Sequence, residues 1–328
     1  MHSNKEYTEI KAISNSSLNL LEQSPKKFLK FYNLEFEESD KKYFLIGSAI
    51  HCYILEYNEF FKRYKFLDYT APNSANKKLF LDLYISSKGD KNERLINAYK
   101  KSYSTYATKD ETVLEKAKEL LKELSSYLKY LKYKDKGVDI IPGYLKTYLE
   151  KLKKELTNNT TANNLLFSVP TEINDIDIFN ELPIIWEQTI ENTPYTLKAL
   201  LDRVILDHDK KLIQLVDLKT TVDIKEFKTS SFFKYHYDRQ LSFYSLAIMN
   251  YFKQKYPDLN IEDYNIEHYI VAVNKEMEPE TAVFKITNST ILNASKQVSN
   301  LLNIAHWHLS NNKWEYSKEH YENGYETI

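Results

Sequence analysis

The sequence predicts an α/β fold, in which helices flank a mixed central sheet and a long helical insertion interrupts the core. Two observations carry this prediction. Short segments rich in Val, Ile and Leu, separated by turn residues, recur in the second half of the chain, as strands do. Segments with apolar residues at helical spacing precede, separate and follow them. This order of elements is typical of a sheet covered by helices.

Residues 13–63 are predicted to form N-terminal helices that belong to the core. Asn15-Ser16-Ser17 suits the N-cap of a short helix, and Pro25 suits the first position of the next one. Residues 44–63 are predicted to form one long helix that packs around Gly47.

Residues 77–156 are dense in Lys, Glu, Leu and Tyr and are predicted to form the helical insertion. Its clearest apolar stripe comprises Val113, Leu114, Ala117, Leu120, Leu121, Leu124 and Leu128. A coiled-coil partner surface is the alternative, but the three or four sustained heptads that it needs are absent.

Residues 165–310 are predicted to form the sheet and its covering helices, followed by a polar tail at 311–328, all within a single domain spanning 1–328. The predicted strands are 184–190, 197–206, 212–220, 268–273 and 281–286. Asp238 is predicted to cap a helix that runs to about Lys255, and 290–309 is predicted to form a last amphipathic helix.

Composition bounds the function classes. Cys52 is the single cysteine, which excludes an internal disulfide, a four-cysteine zinc site and an iron–sulfur cluster held by four cysteines. Net charge is −1, which neither supports nor excludes a nucleic-acid substrate, and with only four arginines the lysines must supply most phosphate contacts. The polar start and the absence of a long apolar run predict a cytoplasmic protein that does not enter membranes.

Asp202, Asp217 and Lys219 are the most informative residues. They lie in two apolar segments joined by the turn residues 207–210, which predicts an antiparallel hairpin. Asp217 and Lys219 share one strand face, and charged groups in such strands are costly to desolvate. Two carboxylates and an ammonium there suggest a metal site with a catalytic lysine. The competing interpretation is a hairpin with polar residues on its solvent face.

Other motifs favour the first interpretation. Gly47-Ser48-Ala49-Ile50-His51 precedes the hairpin, and Gln240-Leu241-Ser242-Phe243-Tyr244 follows it. The order GxxxH, Asp, Asp-x-Lys and QxxxY resembles the PD-(D/E)XK nucleases with a restriction-endonuclease-like core, in their RecB-like branch. The opening and the residues around His51 resemble most closely the phage exonuclease VIII (RecE-type) family. Those segments read Ile13-Ser14-Asn15-Ser16-Ser17-Leu18, Ser24-Pro25 and Ile50-His51-Cys52-Tyr53-Ile54-Leu55-Glu56, and the resemblance extends to Trp314-Glu315-Tyr316.

The chemistry of the carboxylates favours Mg²⁺ held by Asp202 and Asp217, with Mn²⁺ as a substitute. The resemblance implies two further ligands, the backbone carbonyl of Leu218 and the imidazole of His51. A hydrogen-bonded core histidine is the alternative for His51. Lys219 is placed to orient the attacking water or to act as a base if its pKa is depressed.

Five further residues are candidates for the site. Gln240 and Tyr244 share a helix face that can reach the active site, and the alternative is a structural pair beneath the sheet. Tyr237 and Arg239 flank them and are candidates for contacts with the nucleic-acid backbone. Glu187 is either a third carboxylate near the metal or a solvent-facing residue.

Ser16 and Ser17 are candidate phosphate donors, with helix capping as the alternative. The resemblance implies an exodeoxyribonuclease that acts on double-stranded DNA and resects the 5′-ended strand in phage DNA recombination. It also implies a single-strand annealing protein as partner and assembly into a homo-oligomer. The alternatives are an endonuclease or single-strand-specific nuclease on the same core, and a noncatalytic DNA-binding module.

Overall fold

The computed structural model describes residues 4–35, 39–169 and 175–327. The chain divides into two compact units. Residues 1–57 and 147–328 form the sheet unit, and residues 58–146 form the helical unit. The single-domain organisation that the sequence suggests remains a prediction.

The helices are named in chain order. They are α1 (Asn4–Glu9), α2 (Asn15–Gln23), α3 (Pro25–Tyr32), α4 (Ser39–Leu55), α5 (Tyr57–Arg63), α6 (Ala75–Ser86), α7 (Lys91–Tyr103), α8 (Asp110–Glu123), α9 (Ser125–Asp135), α10 (Leu145–Asn158), α11 (Thr160–Phe167), α12 (Ile224–Glu226), α13 (Phe232–Lys234), α14 (Tyr237–Lys255), α15 (Asn288–Asn311) and α16 (Lys318–Asn323). Within the described ranges, no helix combines the length and hydropathy needed to cross a bilayer.

The strands are β1 (Tyr64–Phe66), β2 (Asp139–Ile141), β3 (Ile176–Ile190), β4 (Thr193–Asp207), β5 (Leu212–Thr221), β6 (Asn265–Asn274) and β7 (Thr281–Ile286). The sheet unit holds a five-stranded sheet in the order β3-β4-β5-β6-β7. Only the β5–β6 pair is parallel within this sheet, and the crossover between them contains α14. The predicted mixed α/β fold is therefore confirmed.

The β4–β5 hairpin carries the informative residues as predicted. The two strands pair antiparallel from Arg203↔Val216 to Asp207↔Leu212, and the Asp207 carboxylate accepts a hydrogen bond from the Lys210 N–H in the turn at 2.9 Å. The pairing is short because β4 and β5 separate beyond Arg203. The N-terminal segment pairs with β4 farther along the strand, where Ile13 N donates to Thr196 O at 2.9 Å.

β3 and β4 form a second hairpin, and both strands are longer than predicted. β3 begins at Ile176 instead of residue 184. Its two turn residues, Glu191 and Asn192, have φ of 46° and 66°, the left-handed pair of a tight two-residue hairpin loop. Pro183 makes the first half of this segment look unlike a strand, although proline is tolerated at the edge of a sheet, where β3 lies.

Two helix predictions need correction. Residues 44–63 do not form one helix: α4 ends at Leu55, the Glu56 N–H makes the last bond back to it, to Cys52 O at 2.9 Å, and α5 starts at Tyr57. Asp238 lies within the first turn of α14, and the N-cap position is held by His236 in the left-handed region, with φ of 54°.

The core of the sheet unit places α14 against the sheet and beside α15. Phe243, Ala247, Ile248 and Phe252 of α14 are fully buried in it. The helical unit has its own core, which includes Phe80, Leu81, Leu95, Ala98, Ala117, Leu120 and Leu124. Six residues of the predicted apolar stripe belong to that core or pack against it, and the seventh, Val113, is fully buried, as a helical insertion requires.

Candidate active site

The candidate site lies where β4 and β5 separate. In a strand, the N–H and C=O of one residue point to the same side, so Leu218 of β5 turns both groups toward β4. Its N–H donates to Asp202 Oδ2 at 2.8 Å instead of to a backbone carbonyl. Its backbone also hydrogen-bonds to His51. A side chain thus replaces a rung of the ladder, which leaves Asp202 fixed between the two strands.

Three potential ligand atoms converge at this point. His51 Nδ1 lies 3.4 Å from Asp202 Oδ2 and 3.9 Å from Glu181 Oε1, and all three ligand atoms fall within 4.8 Å of one another. His51 comes from α4, Glu181 from β3 and Asp202 from β4. The Asn180 side chain ties β3 to the end of α4 by donating to Leu55 O at 2.7 Å, which helps to hold His51 in register.

Glu181 has an unusual backbone. Its φ is 48°, in the left-handed region, although it lies within β3. The flanking residues pair regularly, as Asn180↔Arg203 and Leu182↔Leu201, so Glu181 lies opposite Asp202. A non-glycine residue in this conformation costs on the order of 1–2 kcal/mol and persists only where the surroundings impose it. The local distortion turns the Glu181 carboxylate toward Asp202.

Asp217 and Lys219 form the second half of the site. The Lys219 ammonium lies 2.9 Å from Asp217 Oδ1 and 2.7 Å from Oδ2. Only the contact with Oδ1 has hydrogen-bond geometry, so within the described part of the chain Asp217 Oδ2 is buried without a hydrogen bond. Both residues are on one face of β5, as period-two alternation predicts.

Helix α14 covers this pair. Gln240 Nε2 donates to Asp217 Oδ1 at 3.3 Å and to the Tyr244 hydroxyl at 2.6 Å, so the predicted helix face does reach the site. The Lys219 ammonium lies over the Tyr237 ring, 5.2 Å from its centroid, in a cation–π contact. Burial raises the pKa of Tyr244 well above its usual value, so its hydroxyl stays protonated.

Burial also sets the protonation of the charged groups. It lowers the pKa of His51 to about 4, with the Lys219 charge acting in the same direction, so the ring is neutral near pH 7. It raises the pKa of Asp217 to about 6, opposed by Lys219 and reinforced by Asp202. Burial lowers the pKa of Lys219, but Asp217 and Asp202 together raise it more, which favours the ammonium form.

These residues fit a divalent cation. One atom from a neutral imidazole and one oxygen from each of two carboxylates lie within 4.8 Å of one another, and carboxylates this close repel one another unless a cation or a proton lies between them. The buried Asp217 Oδ2 lies 2.7 Å from the Lys219 ammonium but makes no hydrogen bond within the described residues, so it is a further oxygen that a cation could bind. Carboxylate oxygens with one imidazole suit Mg²⁺ or Mn²⁺, and the single cysteine leaves no thiolate set for a softer metal.

Glu187 is not brought to this group. It pairs with Thr196, is exposed, and lies six residues along β3 from Glu181, a distance of roughly 20 Å in an extended strand. Its solvent-facing interpretation is the one that fits. The third carboxylate of the site is Glu181 instead.

Arg239 and Ser17 also have structural roles instead of the predicted contacts with DNA. The Arg239 guanidinium is buried and donates to Asn19 Oδ1 at 2.6 Å and to Glu22 Oε2 at 2.9 Å, which joins α14 to α2. The Ser17 hydroxyl is buried in a capping box, where it donates to Ser14 O at 2.8 Å and accepts from Ser14 N at 2.8 Å. The N-cap of α2 is therefore Ser14.

The remaining DNA candidates differ from these. Ser16 is exposed at the start of α2 and keeps its predicted role as a phosphate donor open. Tyr237 is half-buried and stacks on Phe227, with ring centroids 5.6 Å apart, so its ring is held beside Lys219.

Glu181 is the residue that sequence reasoning missed. The signal that could have found it is the Glu191-Asn192 turn. A two-residue hairpin loop there pairs Ile190 with Thr193, and counting back along both strands places Glu181 opposite Asp202. Asparagine is enriched in such turns, but glutamate is not, and Pro183 makes the segment before the turn look unlike a strand. The register of β3 against β4 therefore could not be counted from the sequence alone.

Comparisons with known proteins bear on the fold that holds this site. Residues 184–323 match the family model described as a PDDEXK-like domain of unknown function (DUF3799). No curated protein matches the chain. Among solved structures, the crystal structure named "Putative exonuclease", from Eubacterium rectale, is similar at 12% identity, with a TM-score of 0.50, over 100% of this chain and 95% of that one.

A second crystal structure, named SSO0001, matches at 14% identity over 69% of this chain and 84% of that one, with a TM-score of 0.25. The family match and the Eubacterium rectale structure show the fold. The chain has a PDDEXK-like domain in its C-terminal half and a helical N-terminal region. The chain carries a candidate His/Glu/Asp metal site, of which Asp202 lies within the matched residues and His51 and Glu181 lie outside them.

Proposed function

We propose that the chain is a divalent-metal-dependent exodeoxyribonuclease of the exonuclease VIII branch. One observation carries the proposal. The donors of His51, Glu181 and Asp202 converge beside the buried Asp217–Lys219 pair, in a chain whose residues 184–323 match a PDDEXK-like domain. A metal position and an adjacent ammonium are the two components that phosphodiester hydrolysis requires from a protein of this kind.

The reaction is the hydrolysis of a phosphodiester. A water oxygen forms a bond to phosphorus, the bond from phosphorus to the leaving oxygen breaks, and the proton that the water loses balances the one that the leaving oxygen gains. A divalent cation, when bound, polarises the phosphate and lowers the pKa of a bound water. His51, Glu181 and Asp202 would hold it, and Asp217 Oδ2 and the Leu218 carbonyl are candidates for further ligands.

Lys219 supplies a second positive charge beside the cation position. Its ammonium donates to Asp217 and can turn to a phosphate oxygen or to the attacking water, because a lysine is a flexible point charge. Gln240 holds the Asp217 carboxylate from above and is itself held by Tyr244. These two residues position the carboxylate and do not transfer a proton.

The substrate that we propose is the end of double-stranded DNA, with resection of the 5′-ended strand and a single-strand annealing protein as partner. The similarity of the GxxxH, Asp-x-Lys and QxxxY motifs to the exonuclease VIII family supports this, and so does the name of the Eubacterium rectale structure. A homo-oligomer that encloses the DNA would suit a chain whose net charge is only −1. Light scattering at micromolar concentration tests the oligomer, and a monomer mass with and without DNA would contradict it.

The mode of cutting can be tested directly. Purified protein with Mg²⁺ is incubated with one plasmid in three forms: linear duplex, covalently closed duplex circle and heat-denatured single strands. We expect the linear form to shorten while the closed circle persists. Cutting of both forms would indicate an endonuclease, and digestion of single strands alone would indicate a single-strand-specific nuclease.

A further inference from the structure

The charge of the chain is distributed unequally between its two units. The helical unit, residues 58–146, contains 19 basic and 12 acidic residues, a formal charge of +7. The whole chain has a charge of −1, so the sheet unit carries −8. A polyanion is therefore repelled on average by the unit that holds the candidate active site and attracted by the other one.

Part of this positive charge forms an ordered stripe on α9. Lys129, Lys132 and Lys136 follow one another at spacings of three and four residues, so they lie on one side of the helix and its C-cap. All three are exposed. We call them the α9 lysine stripe. It is about 10 Å long at the helical rise of 1.5 Å per residue.

Among the described residues, the lysines of the stripe form no ion pair, whereas Lys77 and Lys100 of the same unit pair with Glu123 and Asp110. Like charges at these spacings destabilise a helix by about 0.2–0.5 kcal/mol per pair. The helix macrodipole favours Lys132 and Lys136 near the C-terminus but does not account for Lys129, which lies in the middle of the helix.

Aromatic stacking keeps this helix in place despite that repulsion. No residue of α9 is fully buried. Tyr130 stacks on Tyr69 with ring centroids 4.1 Å apart and on Tyr127 at 5.4 Å. Stacked aromatic pairs contribute about 0.5–1.5 kcal/mol each beyond the area that they bury. The stack therefore presents the lysines on an ordered helix.

We propose that the α9 lysine stripe binds the phosphate backbone of the DNA substrate. Duplex DNA carries one phosphate per about 3.4 Å of axis on each strand, so a stripe of this length faces about three phosphates of one strand. The inference rests on the proposed nuclease function and adds to it the surface that supplies affinity. It assigns the binding charge to the unit that does not hold the candidate metal ligands.

The test measures binding of a fluorescent linear duplex to the full chain in EDTA, so that no DNA is cut, at several salt concentrations. One variant replaces the stripe as Lys129→Ala, Lys132→Ala and Lys136→Ala. The matched control replaces three exposed lysines of the same unit that lie outside α9, as Lys88→Ala, Lys91→Ala and Lys101→Ala. Both variants lose the same formal charge.

We expect the stripe variant to bind at least about tenfold more weakly at 0.1 M salt, and the slope of log K against log salt to become shallower by about 2.7, for three lost phosphate contacts. The control should lose far less. With Mg²⁺, the stripe variant should show a raised KM for linear duplex and an unchanged kcat, because the groups at the candidate metal site are intact.

Three results would overturn the inference. Parent-like DNA binding by the stripe variant would show that the stripe serves another partner, such as an acidic protein. Equal losses in stripe variant and control would show that total charge matters and position does not. The third result has two parts: the stripe variant loses much of its helicity in circular dichroism, and a variant with Lys→Arg at the three positions binds DNA no better than one with Lys→Gln. That result would show that the stripe acts on the structure and not through its charge. Failure of the parent itself to cut DNA would instead count against the proposed function.

Discussion

Replacement of Glu181 by Gln tests whether Glu181, which the structure places at the site, or Glu187, which the sequence suggested, is the third carboxylate ligand. The substitution keeps the size of the side chain and removes one of the two carboxylates in the three-donor group. Losing even a supporting group around a metal commonly costs 10–100-fold in metal affinity, so a lost ligand should cost at least as much, or about 1.4–2.7 kcal/mol. Calorimetric titration with Mn²⁺ in the absence of DNA measures this effect.

Glu187→Gln is the matched control, because it removes the same charge from the same strand, roughly 20 Å away. We expect its Mn²⁺ affinity to equal that of the parent. Equal affinity of Glu181→Gln and the parent would refute the assignment of Glu181. A loss in Glu187→Gln alone would restore the ligand that the sequence suggested.

Three further predictions address other parts of the account. Lys219→Ala should lower nuclease activity by about 10²-fold or more while retaining Mn²⁺ binding in calorimetry, since the carboxylates remain, and lost Mn²⁺ binding would contradict its role. Arg239→Met should lower the free energy of unfolding by about 1–2 kcal/mol, because the hydrogen bonds to Asn19 and Glu22 are lost; the loss is no larger because Glu22 is 45% exposed and regains water. DNA affinity in the salt titration above should not change, and weaker DNA binding would contradict the structural role. Burial lowers the pKa of His268 to about 4, so its neutral form stabilises the fold above pH 6.5, and this contribution is lost as the pH falls toward 4, by about 3 kcal/mol in all. Urea unfolding of His268→Phe should show a smaller loss between these pH values than the parent, and an equal loss would contradict the assignment.

Much of the fold could be predicted because it depends on local patterns. The Val-, Ile- and Leu-rich segments mark β4, β5, β6 and β7, and the turn residues 207–210 mark the hairpin. Alternation with period two places Asp217 and Lys219 on one face, and a spacing of four places Gln240 with Tyr244. These relations need no knowledge of tertiary structure.

The parts that sequence reasoning missed depend on distant contacts. Glu181 becomes a candidate ligand through a left-handed φ and a strand register, neither of which a propensity indicates. The sequence suggests that Arg239 binds phosphate. In the structure its guanidinium is buried and donates to Asn19 and Glu22 of α2, which lie more than two hundred residues earlier in the chain. The Ser17 hydroxyl is engaged in the capping box with Ser14, and Ser14 lies one residue before the segment predicted to hold the N-cap.

The most direct test of the central claim uses a linear duplex labelled separately at each 5′ and 3′ end, incubated with Mg²⁺ and either the parent or Asp217→Ala. We expect the parent to shorten the 5′-ended strand progressively, and EDTA or the Asp217→Ala substitution to leave both strands intact while the fold, followed by circular dichroism, is retained. Digestion by Asp217→Ala at the parental rate, or an intact duplex after incubation of the folded parent with Mg²⁺ and Mn²⁺, would contradict the account.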